Sequence, residues 1–223
     1  TMLRSIKADH IFTGDQLVTF SKSLGFLENE AFMAAFNENA ETDVEKSLIW
    51  RSHILCWAGK RGLGLEGDFV ECGTYKGTSA RIMVDYLHLD MTDKKFYLYD
   101  LFEHSDGMVH HKLDQHGADL YARVCERFAD QDGVKIVQGS VHDTLPKISP
   151  DKIAFLHIDM NNAPAERAAL DHLFDKVTPG ACIVFDDYGW LGYRDQKDMA
   201  DDFLARRGYD VVELPTGQGL VIK

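Results

Sequence analysis

From residue 68 to the end of the chain, short apolar runs alternate with stretches of helical spacing. The runs at 69–72, 96–99, 135–138, 153–158, 181–185, 211–214 and 220–222 have the length and composition of strands. Between them, 79–87, 114–129, 165–176 and 196–206 repeat apolar residues at helical intervals. Such alternation predicts right-handed crossovers and a mostly parallel sheet with helices on both faces. Residues 215–219 are too few for a crossover helix, so the last two strands are expected to pair antiparallel. The first sixty or so residues read as helical. Thr42 and Glu45 form a capping box ahead of Val44, Leu48, Ile49, His53, Leu55, Cys56 and Trp57, and Gly59, Gly62 and Gly64 are expected to end that helix. The predicted architecture is a doubly wound, mostly parallel seven-stranded α/β sheet with an antiparallel C-terminal hairpin. It is expected to be one domain over residues 1–223, a helical cap over 1–65 preceding a core over 66–223.

Composition narrows the chemistry. With 223 residues, 45% hydrophobic and 27% charged, the chain can bury one full core. A formal net charge of -12 argues against a nucleic-acid surface and suits a cationic ligand or a metal. No apolar run reaches the length of a membrane span and no signal peptide opens the chain, so a cytoplasmic protein without a membrane partner is expected. Cys56, Cys72, Cys125 and Cys182 are scattered, which favours reduced, buried thiols over disulfides or zinc.

The stretch 69–79, Phe-Val-Glu-Cys-Gly-Thr-Tyr-Lys-Gly-Thr-Ser, reads as strand, tight loop and helix start. Gly73 and Gly77 can turn without a Cβ clash, and a helix start offers free N–H groups to a ligand. Acids close the apolar runs: Glu71, Asp100, Asp159 and the pair Asp186 and Asp187. In a parallel sheet these ends share one edge, so the carboxylates converge over a cleft. Asp100 has two readings, an acceptor for the ribose hydroxyls of a nucleotide-like cofactor or a loop-capping aspartate. Asp159, Asp186 and Asp187, if ~4 Å apart, would repel by roughly 4 kcal/mol per pair at an effective dielectric of about 20, and coexist comfortably around a cation. All-oxygen ligands select a hard ion such as Mg²⁺. Taken singly, Asp186 or Asp187 also reads as a cap of the turn before Gly189.

The loop 71–79 resembles the cofactor loop of class I S-adenosylmethionine-dependent methyltransferases. Tyr-Asp-Leu-Phe-Glu (99–103), Gly-Ser-Val-His-Asp-Thr-Leu-Pro (139–146), His-Ile-Asp (157–159) and Pro-Gly-Ala-Cys-Ile-Val-Phe-Asp-Asp-Tyr-Gly (179–189) follow in order. Together they resemble the macrocin O-methyltransferase (TylF-type) family, which methylates sugar hydroxyls of antibiotics using Mg²⁺. The resemblance runs from about residue 69 to the C-terminus. It implies a Rossmann-like fold, S-adenosylmethionine and Mg²⁺ as cofactors, and a small-molecule acceptor such as a sugar or vicinal diol of a natural product. It implies Glu71, Cys72, Gly73, Thr74, Tyr75, Gly77, Thr78 and Ser79 around the methionine moiety. Asp100, with Leu101 and Phe102, would meet the ribose, and Gly139 and Ser140 the adenine. Asp159, Asp186 and Asp187 would hold the metal, Asp159 also bordering the cofactor.

One departure stands out. Members of the family read Asp-x-Asp-x-Tyr after the fourth strand, whereas this chain has Asp159-Met160-Asn161-Asn162-Ala163, so a remodelled acceptor pocket is expected. Catechol-type methyltransferases carry a lysine base three residues beyond this aspartate; Asn162 stands there and cannot act as a base. Asp159, His142 and His104 are the catalytic candidates. His104, His110, His111 and His116, with Gly107 and Gly117, read as a solvated loop or as a lid over the acceptor, while His157 is expected to pack inside the sheet. The expected function is metal-dependent O-methylation. A nicotinamide-dependent oxidoreductase is an alternative, although Tyr75 and Lys76 stand inside the loop where its three-glycine fingerprint does not allow them. A non-catalytic S-adenosylmethionine-binding domain of a larger biosynthetic protein is another, motivated by Asn161. A homo-oligomer stays open.

Overall fold

In the computed structural model residues 11–104 and 113–223 are described. The N-terminal region begins with a hairpin that the helical reading did not anticipate. Strands β1 (Ile11–Gly14) and β2 (Leu17–Phe20) pair antiparallel, Gly14 opposite Leu17. The turn residues Asp15 and Gln16 both have left-handed backbones, at φ 50° and 54°. Without the Asn-Gly or Asp-Gly pair that marks such turns, and with strands of only four residues, the sequence carried little hairpin signal. Over the described residues 11–65 the expected helical cap is therefore corrected to a hairpin followed by helices.

Those helices are α1 (Glu30–Asn39), α2 (Asp43–Ser47) and α3 (Ile49–Gly62). The Thr42–Glu45 capping box is present, but it starts the five-residue α2 rather than one long helix. The cap of α3 comes from elsewhere. Leu48 at its N-cap offers no side-chain acceptor, and the Asp15 carboxylate of the hairpin accepts from the N–H groups of Trp50 (2.7 Å) and Arg51 (3.0 Å). The helix ends among the glycines expected to end it: Gly62 is its last residue and Gly64 follows it, while Gly59 lies inside. A Cβ on Gly59 would come within 2.6 Å of Met83, and one on Gly62 within 2.6 Å of the Ala154 carbonyl oxygen. They let the helix lie close on the sheet.

Seven strands then form the main sheet: β3 (Asp68–Cys72), β4 (Phe96–Asp100), β5 (Val134–Gln138), β6 (Ile153–Ile158), β7 (Val177–Phe185), β8 (Val212–Glu213) and β9 (Gly219–Ile222). Their order is β5-β4-β3-β6-β7-β9-β8. The first five are parallel, with Val70 beside Tyr97 and Leu156, and β9 runs antiparallel between β7 and β8. Helices α4 (Thr78–Leu87), α5 (Leu120–Arg127), α6 (Val141–Thr144), α7 (Ala163–Leu173) and α8 (Arg194–Ala205) fill the crossovers. The α5 helix is shorter than the expected 114–129. Residues 114–119 turn instead, with His116 N–H bonded to the Leu113 carbonyl.

All six residues of β6 are buried, as a strand covered on both faces requires. Alternation splits its side chains between two cores. Phe155 joins Phe69, Phe96 and Met83 on the α3–α4 side, and Leu156 joins Val70, Leu170 and Phe203 on the α7–α8 side. Cys56, Cys72 and Cys182 are buried free thiols and Cys125 is half-buried. Among the described residues no helix is long and apolar enough to cross a membrane.

Glu45 ties the N-terminal helices to the loop after β3. One carboxylate oxygen accepts from the Thr42 N–H (2.8 Å), and the other from the Lys76 ammonium (2.7 Å) and the Thr78 hydroxyl (2.8 Å). Burial opposes the charged form, but Lys76, the Thr42 N–H and the two threonine hydroxyls outweigh it and bring the carboxyl from 4.5 to about 2. A lowered folded pKa stabilises above the unfolded value and loses that stabilisation as pH falls through the folded one. Glu45→Gln is therefore expected to destabilise the fold by about 1.5–3 kcal/mol at neutral pH. In urea melts, the difference from the unmutated protein should shrink as pH falls from 4.5 towards 2. A pH-independent difference would contradict the assignment.

Candidate functional site

The C-terminal ends of β3, β4, β5 and β6 open on a cleft of about 820 Å³, lined by Gly73, Tyr75, Asp100, Leu101, His116, Gly139, Ser140, Asp159, Met160 and Asn161 among others. Its floor depends on Gly73. With φ +94°, this residue lies where L side chains are strained, and a Cβ would run into the backbone carbonyl of Asp159. The ends of β3 and β6 meet there, and the Asp159 N–H donates to the Cys72 carbonyl at 2.8 Å.

Asp100 braces the same loop. One of its oxygens accepts from the Tyr75 N–H (2.7 Å) and the other from the Phe102 N–H (2.6 Å). Each oxygen keeps a further lone pair, so the loop-capping role and a ligand-binding role are compatible.

The residues suggested by sequence divide into two groups. Gly73, Tyr75, Asp100, Leu101, Gly139, Ser140 and Asp159 line the cleft. Glu71, Cys72, Thr74, Gly77, Thr78, Ser79 and Phe102 do not, and several have side chains committed inside the fold. Cys72 packs in the core with its thiol pushed far up by burial. Phe102 is buried, Gly77 caps α4, and Thr78 bonds Glu45. Ser79 donates to Glu71 at 2.8 Å.

The histidines also separate. His142 is exposed on α6, its ring 3.2 Å from the Ser140 hydroxyl, and is not part of the cleft wall. The His104 ring stacks near that of His116, centroids 6.3 Å apart, and only His116 lines the cleft, edge-on to Tyr75. His110 and His111 lie outside the described residues.

Beside the cleft a chain of charged groups crosses the sheet. Glu71 and His157 are buried on β3 and β6, and the His157 Nδ1 lies 2.8 Å from the Glu71 carboxylate. The His157 Nε2 faces an Asp186 oxygen at 3.5 Å, and that oxygen also accepts from the Gln218 amide at 2.9 Å. The other Asp186 oxygen accepts from the Arg51 guanidinium. Burial would lower the pKa of His157, but contact with Asp186 and Glu71 prevails and raises it to about 10. Burial would raise Asp186, but Arg51, His157 and Gln218 hold it well below the usual carboxylate range. His157 thus packs inside the sheet as expected, and does so as the middle of this chain.

Strand β7 ends at Phe185, so Asp186 and Asp187 fall in the turn and not on opposite faces of a continuing strand. Ligand atoms of His157, Asp159 and Asp186 lie within 4.8 Å of one another. Whether a divalent cation fits is decided by the oxygens not already committed. Both Asp186 oxygens face donors. Asp159 and Asp187 are different: burial and the neighbouring carboxylates push Asp159 well above the usual range, and burial with Asp186 brings Asp187 to about 7. Burial and the field of Asp186 raise both acids, and a hard divalent ion would relieve that charge; with ligand atoms of His157, Asp159 and Asp186 already gathered, the residues present fit one.

Arg51 and Gln218 were not singled out from sequence. The first sits within a helix and the second in a short connection, and neither carries a local pattern that announces a site. Glu166 was missed too. It is buried in the first turn of α7, and burial, against the N–H groups of Met160 and Asn162, raises its pKa to about 8. The altered segment has local reasons. Asn161 takes a left-handed backbone at φ 52°, which asparagine tolerates, and Asn162 caps α7 by accepting from the Ala165 N–H at 2.9 Å.

The profile of the macrocin O-methyltransferase (TylF) family matches residues 60–211. Over 165 residues the chain is 28% identical to 8-demethyl-8-(2,3-dimethoxy-alpha-L-rhamnosyl)-tetracenomycin-C 4'-O-methyltransferase of Streptomyces olivaceus, a match covering 65% of this chain and 60% of that one. Over 168 residues it is 26% identical to demethyldecarbamoylnovobiocin O-methyltransferase of Streptomyces niveus, covering 68% of this chain and 63% of that one. The chain thus spans less than two thirds of the length of these relatives. In structure it is similar to the O-methyltransferase NovP, with a TM-score of 0.67 at 22% identity over 79% of this chain and 81% of that one. It is also similar to a calicheamicin methyltransferase, with a TM-score of 0.62 at 13% identity over 90% of this chain and 93% of that one. At these identities the structural likeness bears on the fold, and it agrees with the parallel sheet closed by an antiparallel pair.

Gly73→Ala tests the geometry of the cleft floor. The added methyl meets a backbone carbonyl that cannot move without parting β3 from β6, so a loss of more than about 3 kcal/mol is expected. Chemical denaturation reads this directly. A variant as stable as the unmutated protein would show that the two strand ends do not meet as described.

Proposed function

The chain belongs to the macrocin O-methyltransferase family, and we propose that it transfers a methyl group from S-adenosylmethionine to a hydroxyl of a small molecule, a sugar or vicinal diol of a natural product. The observation that carries this proposal is a cleft lined by Asp100, Gly139, Ser140 and Asp159, the last lying in the field of Asp186 and Asp187. A nucleoside would lie against the first wall, with Asp100 accepting from the ribose hydroxyls. Its sulfonium end would then approach the acidic edge. The methyl group of a sulfonium is already activated, so the protein's task is alignment and a nucleophilic oxygen.

Asp159 and Asp187 are the groups proposed to hold a divalent cation such as Mg²⁺, with Asp186 supporting them from behind. When bound, such an ion supplies Lewis-acid chemistry to neighbouring acceptor oxygens. Asp159 borders both the cofactor cleft and the acidic cluster, which supports it as the acceptor of the hydroxyl proton. His142 and His104 have no comparable support, since neither lines the cleft. Vicinal oxygens are favoured because two adjacent acceptor atoms can share one ion. The curated relatives are named for O-methylation of a rhamnosyl tetracenomycin and of a novobiocin precursor, which is consistent with this acceptor class.

Calorimetry should show S-adenosylmethionine binding weakened by about 1.5–3 kcal/mol in Asp100→Ala, the range for hydrogen bonds to a charged group. Absence of binding to the unmutated protein would remove the basis of the proposal. With a panel of sugars and vicinal diols as acceptors, Asp187→Ala should lose metal-stimulated methylation while keeping its cofactor affinity. Chelation of the unmutated protein should do the same and Mg²⁺ should restore it; full activity after exhaustive metal removal would overturn the cation's part.

A further inference from the structure

We propose that Tyr75 is a positioning residue that couples Asp100 to the turn at 113–116, so that a nucleoside bound on Asp100 also fixes His116 in the cleft wall. This rests on the cofactor proposed above and adds how its binding is transmitted to the wall beside it.

Two bulky residues near the cleft take backbones that L side chains rarely adopt, Tyr75 at φ 48° and Phe102 at φ 59°. One carboxylate holds both. Asp100 accepts the Tyr75 N–H on one oxygen at 2.7 Å and the Phe102 N–H on the other at 2.6 Å. Glycine would take either backbone without strain, so each side chain has a task that glycine could not perform. For Phe102 the task is packing: the ring is buried against Tyr121 of α5, centroids 5.4 Å apart. Tyr75 is half-buried and lines the cleft. Its hydroxyl accepts from the Gln115 N–H at 3.1 Å, and its ring meets the His116 ring edge-on, centroids 5.3 Å apart.

The turn that Tyr75 meets is closed on itself. The His116 N–H donates to the Leu113 carbonyl at 3.0 Å, and the Leu113 N–H donates to the His116 Nδ1 at 3.1 Å. With Nδ1 accepting, a neutral His116 ring carries its proton on Nε2. Leu113 and His116 both line the cleft. Contacts therefore run from the Asp100 carboxylate, through the backbone and ring of Tyr75, to a turn on the cleft wall. Ribose hydroxyls donating to the remaining lone pairs of Asp100 would fix that carboxylate, and with it the strained backbone of Tyr75 and the place of its hydroxyl. Such a coupling is reciprocal: a turn held by Tyr75 favours the ligand that holds Tyr75.

Amide hydrogen exchange at Leu113 and His116, read by NMR with and without saturating S-adenosylhomocysteine, tests this without any acceptor. In the unmutated protein the ligand should slow exchange of both amides at least about fivefold. Tyr75→Phe removes only the hydroxyl, and both amides keep their partners within the turn. With ligand binding verified by calorimetry, the slowing in that variant should fall below about twofold. Gln115→Ala keeps the backbone N–H that the hydroxyl meets and should behave as the unmutated protein does. Full slowing in Tyr75→Phe, or its loss in Gln115→Ala, would overturn the inference. Unmutated protein that binds S-adenosylhomocysteine with no change at either amide would overturn it as well, and would leave the proposed function standing. A Tyr75→Phe variant that melts cooperatively but no longer binds the ligand would show that the hydroxyl serves the ligand directly, against the coupling. No binding by the unmutated protein would overturn the cofactor proposal and this inference with it.

Discussion

The buried chain Glu71–His157–Asp186–Arg51 is the interaction on which the rest of the site depends. Each of its members would be expensive to bury alone, and together they alternate in sign. Because they come from β3, β6, the end of β7 and α3, the electrostatics fix how four elements meet. The Ser79 hydroxyl and the Gln218 amide add hydrogen bonds to this chain, while Glu71 Oε2, His157 Nε2 and Arg51 Nε have none among the described residues. The result is a nearly neutral chain beside the cleft, next to Asp159 and Asp187, the two acids raised by burial and by Asp186.

The part of this that was legible in the sequence is the part carried by periodicity and by strand ends. Runs of β-branched and aromatic residues located all seven strands of the sheet, and the acids closing them located its ligand edge. The capping box at Thr42 and Glu45 was legible because it is a local pattern, yet what Glu45 does with Lys76 and Thr78 was not. Arg51 was illegible for the same reason: it joins Asp186 across 135 residues of sequence. The end of α3 at Gly62 was legible, whereas Gly59 lies in the helix interior because its lack of a Cβ serves close packing against Met83. The β1–β2 hairpin was invisible because Asp15 and Gln16 accept left-handed backbones that glycine would have advertised.

The segment 159–163 illustrates how a departure from a family pattern can be absorbed locally. Asn161 is tolerated where the backbone turns left-handed, and Asn162 starts α7 as an ordinary N-cap, so neither needs a chemical role to explain its presence. Behind them the buried Glu166, raised by desolvation, faces the N–H groups of Met160 and Asn162. The acid missing from the front of the segment has not left the region without carboxylates. It leaves the cleft side of the loop neutral, which enlarges the relative influence of Asp159 on anything bound there.

The family match starts at residue 60, whereas Asp15, Glu45 and Arg51 all precede it. These three residues nevertheless make the contacts by which the N-terminal region enters the site: Glu45 on the loop that borders the cofactor cleft, Arg51 on the acidic edge, and Asp15 on the helix turn that carries Arg51. The sheet edge supplies the cleft and its carboxylates, and the N-terminal helices bring a guanidinium against one of them. In this chain one helix turn carries the guanidinium that pairs with Asp186 and lies 4.0 Å from Asp187.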